Sequence, residues 1–72
     1  MTLQDRAAAA LDRTHSAPDV FDNIQVRQIR LCLARWLDGK IVKVRGFQMK
    51  TSLARAYCDC LESVACRIEV RS

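Results

Sequence analysis

The chain has 72 residues, half of them apolar and 28% charged, with a net charge of +4 at pH 7 and four cysteines. That balance excludes a disordered tail, and a chain this short buries only roughly 60% of its unfolded surface, which restricts residues 1–72 to one domain with a modest core. The apolar run at residues 7–11 is too short for a secretory signal or a membrane span, so a cytoplasmic protein with reduced thiols and no membrane partner is expected.

In chain order, Thr2 and Asp5 fit a capping box, and Leu3, Ala7, Ala10 and Leu11 then recur at helical spacing. A first helix over about 3–13 follows. Its inward stripe is made of small side chains, so residues 1–16 are expected to dock weakly on a core formed by 17–72. Residues 14–19, THSAPD, carry connection signals, with Ser16 or Asp19 available to cap the next element.

Residues 20–38 admit two readings. As a helix, Val26, Ile29, Leu33, Trp36 and Leu37 form one stripe that ends at Gly39, which Leu31 fits poorly. As a strand, residues 27–48 form a β-hairpin turning at Asp38-Gly39 and setting Leu33 opposite Val44. Arg, Gln, Leu and Ala dominate the segment, and these favour the helix. Beyond Gly39, KIVKVRGF reads as a strand with Val42 and Val44 on one face and Ile41, Lys43, Arg45 and Phe47 on the other. Thr51 or Ser52 starts a helix lined by Leu53, Tyr57, Leu61 and Val64. CRIEVRS, residues 66–72, alternates as a closing strand. The expected fold is therefore α+β: two N-terminal helices followed by a β-α-β unit with a two- to three-stranded sheet. The hairpin alternative gives α-β-β-α-β.

Residues 1–38 hold five arginines against five aspartates, whereas residues 39–72 hold seven cations against three acids, so the whole excess lies in the second half. An anionic partner is expected to meet that half. Metal binding and catalysis find little support. Cys58 and Cys60 lie about 200° apart on a helix, so their sulfurs diverge where zinc needs convergent ligands, and buried cysteine commonly packs as a small apolar residue. His15 is the single histidine, and no cysteine stands at an expected helix start where its pKa would fall. GFQMKTS, residues 46–52, has the order of a phosphate-binding loop, but Met49 occupies the position that needs glycine. Lys50 beside a helix start retains the capacity to hold one anionic group. No cofactor is implied.

With the last segment as a strand, Lys43, Arg45, Arg67 and Arg71 share an open sheet face with Ile41 and Phe47 among them and Glu69 as its one acid, and Lys50 is counted with them as a partner-binding residue. Arginine outnumbers lysine nine to three, a composition suited to protein interfaces. The expected function is a non-enzymatic protein-binding module, an inhibitor or regulator of a larger protein or nucleoprotein complex with an acidic surface. Small proteins of phages and mobile elements that block larger machines are of this kind. The alternative is single-stranded nucleic-acid or RNA binding by the same face, where cations meet phosphates and a ring stacks on a base. Unpaired sheet edges would also admit a second copy as a homodimer.

Overall fold

The fold is seen in a computed structural model that describes the backbone of residues 1–15 and 24–71 and the side chains of residues 1–14 and 24–67. The connection expected at 14–19 lies, from residue 16 on, outside the described residues. Three helices, α1 (Leu3–His15), α2 (Ile24–Leu37) and α3 (Thr51–Arg71), are joined between α2 and α3 by a small antiparallel hairpin of β1 (Lys43–Val44) and β2 (Phe47–Gln48).

The capping box at α1 is reciprocal. The Asp5 amide donates to Thr2 Oγ1 at 3.1 Å and the Thr2 amide donates to Asp5 Oδ2 at 3.3 Å, while the Thr2 carbonyl accepts the first helical bond from Arg6. Further along α1, Ala7, Ala10 and Thr14 are buried. Thr14 shares its hydroxyl proton between the carbonyls of Ala10 and Leu11, each 3.0 Å away, which satisfies the group without a partner from another helix. Across from them α3 also buries small side chains, Ala54, Cys58 and Ala65, around Leu61. Small against small lets the two helices approach closely, and α1 packs more extensively on α3 than on α2. Arg6 then fastens the pair: its Nη2 donates to Asp59 Oδ1 at 2.8 Å and to Glu62 Oε2 at 3.0 Å, and its Nε donates to Glu62 Oε1 at 3.1 Å. The two carboxylates hold the Arg6 guanidinium even more firmly protonated than usual, Glu62 having the larger effect.

Residues 24–37 are helical, so the 27–48 hairpin with its turn at Asp38-Gly39 does not form. Gly39 ends α2 with φ at +76°, its amide donating to the Trp36 carbonyl at 3.1 Å while the Lys40 amide donates to Arg35 at 3.0 Å. These two bonds are the Schellman pattern, and only the glycine adopts the required left-handed conformation without strain. Val26 and Leu33 are buried, with Ile29, Trp36 and Leu37 half-buried beside them.

The hairpin turns instead at Arg45 and Gly46, both with positive φ, +54° and +83°, the pattern of a two-residue type I′ connection. Val44 pairs with Phe47 and Lys43 with Gln48, and the Met49 amide donates to the Val42 carbonyl at 2.8 Å, which extends the ladder by one step. Val42 and Met49 are buried, clipping the base of the hairpin to the core.

The β-α-β unit is not formed. Residues 66–71, expected as a closing strand, continue α3 through Arg71. Two physical reasons account for this. The helical pattern of Leu61 and Ala65 meets no glycine or proline to stop it in the residues that follow, and a strand there would need a ladder partner that the two-residue β1 and β2 do not supply. The stripe of α3 is also rotated by one residue from expectation. Ala54, Cys58, Leu61 and Ala65 form its centre, and Leu53, Tyr57 and Val64 are half-buried at its margins. Among the described residues no helix is long and apolar enough to cross a membrane.

Candidate functional site

The chain from Gly39 to Lys50 carries Lys40, Lys43, Arg45 and Lys50 and no acid. All four are exposed, as are Ile41 at 75% and Phe47 at 79%. The fold therefore presents large apolar groups among cations at one end of the molecule. Local geometry explains how. The tight turn forces the side chains of β1 and β2 into register, so Phe47 lies on the same face as its cross-strand partner Val44 and not, as expected from a single long strand, with Lys43. It overhangs the core because the hairpin extends past the buried pair Val42 and Met49. Lys50 occupies the N-cap position of α3, its carbonyl accepting from the Ala54 amide at 3.0 Å.

Of the expected face, Lys43, Arg45, Phe47 and Lys50 are kept within the one short segment of the hairpin and its flanks, with Phe47 on the opposite strand face from Lys43. Arg67 is not: it is exposed on α3 sixteen residues beyond Thr51, about 24 Å along the axis at 1.5 Å per residue. The backbone of Arg71 lies a further turn away, and its side chain is outside the described residues. The open basic sheet face expected of Lys43, Arg45, Arg67 and Arg71 depends on the last segment being a strand. With that segment helical, the face is divided between opposite ends of α3.

Beside the hairpin, α2 and α3 enclose an open groove of about 580 Å³. Ile29, Cys32, Val44 and Tyr57, all half-buried, line its floor, and Leu31, 54% exposed, stands at its edge. Lys43 and Arg45 flank it from the hairpin, Gln25 and Gln28 from α2, and among the described residues no acid lines it. Sequence reasoning missed the part played by α2. Its signal was Leu31, an apolar residue that did not fit the buried stripe.

All four cysteines are free thiols. Cys58 is fully buried, and burial pushes its thiol up from the ordinary 9.0, whereas Cys60 and Cys66 face outward. Among the described residues no three or more His, Cys, Asp or Glu side chains converge on a point where a metal would sit. Comparison with protein-family models, curated proteins and solved structures finds no match.

Proposed function

We propose that the protein is a binding module that acts without catalysis, occupying an acidic surface of a larger protein or nucleoprotein complex as an inhibitor or regulator does. The observation that carries this reading is the hairpin itself, on which Phe47 and Ile41 stand exposed among four cations with no acid from residue 39 to 50. Exposed aromatic and arginine side chains are what interface centres use, and a positive field steers an acidic partner to them. The backbone adds support: Arg45 holds a left-handed conformation that Asn or Gly would adopt at lower cost, so a cation is kept at the turn at some expense in stability. A second reading, single-stranded nucleic acid or RNA, draws on Phe47 beside Lys43 and Arg45. One exposed ring gives it less support than several would. Pairing with a second copy through a sheet edge draws less still, since each strand contributes two residues.

The test compares capture of cellular partners by the wild-type chain with capture by Phe47→Asp and by Arg67→Glu. A protein retained by wild type and Arg67→Glu but lost with Phe47→Asp is the expected result. Identical capture by all three overturns the reading. Labelled single- and double-stranded oligonucleotides at two salt concentrations decide the alternative, because phosphate contacts make affinity fall steeply with salt. Absence of oligonucleotide binding at low salt removes it.

A further inference from the structure

We infer that the groove between α2, the hairpin and α3 is a peptide-docking site whose occupant is a short acidic segment of a partner protein carrying apolar anchor residues. The inference rests on the protein-binding reading above and narrows it to a partner chemistry and a place. The floor of Ile29, Cys32 and Val44 is apolar and already half-shielded, so an apolar side chain entering it leaves water without displacing any charge. The volume of about 580 Å³ has room for two or three such side chains and is within the range of built ligand clefts. The edge, among the described residues, is polar and of one sign: Lys43 and Arg45 are cationic, Gln25 and Gln28 are neutral amides, and no acid lines it. An apolar floor beside a cationic edge is complementary to a segment that alternates Asp or Glu with Leu, Phe or Met, and it repels basic segments. Nucleic acid fits less well. Stacking needs ring faces, and among the described residues Tyr57 is the one aromatic side chain lining the groove.

The experiment selects binders to the full chain from a displayed library of random peptides about a dozen residues long. Enriched peptides are then measured against wild type, Leu31→Ser, Lys43→Glu, Phe47→Ser and the control Arg67→Ser. The expected result is enrichment of net-negative peptides with at least two large apolar residues. Leu31→Ser and Lys43→Glu should each weaken their binding by about tenfold, the scale of one lost anchor, while Phe47→Ser weakens it less than either and Arg67→Ser, exposed far along α3, leaves it nearly unchanged. A measurement independent of any variant accompanies these: bound peptide should slow alkylation of Cys32, on the groove floor, and leave exposed Cys60 and Cys66 reacting as before. No enrichment, enrichment without the acidic and apolar bias, or an unprotected Cys32 overturns the groove as the site. Loss of peptide binding with Phe47→Ser alone also overturns it while leaving the wider reading standing. Protection of Cys32 by a thymidine oligonucleotide in place of peptide would assign the groove to nucleic acid.

Discussion

Arg45 is the residue at which local cost and surface chemistry oppose each other. Its φ of +54° at the first central position of the turn suits Asn, Asp or Gly, and an L-residue with a longer side chain is strained there by about 1 kcal/mol. Arg45→Asn should therefore stabilise the protein by roughly 0.5–1 kcal/mol in urea titration, and by the proposal above it should also weaken partner binding. Unchanged or lowered stability would mean that the arginine side chain repays its backbone strain within the chain. Gly39→Ala tests the other left-handed position. Nothing lies within 4 Å of the added methyl, so its cost, about 1–2 kcal/mol, is conformational and not steric. The thiols separate by burial in the same way. At pH 8, Cys60 and Cys66 should react with a thiol reagent in the native state, Cys32 more slowly, and Cys58 only on unfolding. Because the Cys58 pKa is raised in the folded chain, the stability linked to it is fully present below the ordinary 9.0. It is lost as pH rises from there through the folded value, since the unfolded thiol ionises first. Cys58→Ala should flatten this part of the alkaline stability profile.

At the scale of elements, the α1–α3 contact is the most distinctive. Ala7 and Ala10 are fully buried in one cluster with Ala54, Cys58 and Leu61, so Ala10→Leu should destabilise by about 1–3 kcal/mol through overpacking. Thermal midpoints for Ala10→Leu and for the exposed control Ala9→Leu make the comparison, and equal effects would show that the helices have room to separate. What the sequence revealed about elements follows from how local each signal is. The end of α2 at Gly39 was legible because the helix stop, its glycine and the change to β-branched residues all fall within a few positions. The turn at Arg45-Gly46 was not, because Arg-Gly lacks the Asn-Gly signature and the fold enforces the turn by burying Val42 and Met49. CRIEVRS alternates with period two yet also continues the spacing of Leu61 and Ala65, and only the absence of a partner strand decides between the two. The cations and Phe47 of the hairpin could be picked out from charge and exposure patterns. Their separation from Arg67 and Arg71 could not, since it depended on that same undecided segment.

The whole molecule measures 36 × 28 × 17 Å, and its shortest dimension is under two helix diameters, so few side chains are fully sheltered. Among the described residues Leu33 and Leu61 are the largest apolar ones. Leu33→Ala should cost about 2–5 kcal/mol, enough to unfold much of a population with ordinary small-domain stability, as circular dichroism would register. A native-like melting curve for that variant would show that neighbouring side chains collapse into the space. The tie between Arg6 and the pair Asp59 and Glu62 spans 53 and 56 residues of sequence, whereas the α2 stop and the hairpin close over at most seven. Contacts of such different reach need not form together. Closing the short loops is entropically cheap, so α2, the hairpin and the start of α3 are expected to assemble before the rate-limiting barrier and α1 to join after it. In stopped-flow kinetics Arg6→Gln should then accelerate unfolding while the refolding limb of the chevron stays in place. A slowed refolding limb would put the joining of α1 and α3 at the barrier itself. On the expected order, the guanidinium that clasps the two ends of the fold governs how long the native state lasts, and has little influence on how quickly it is reached.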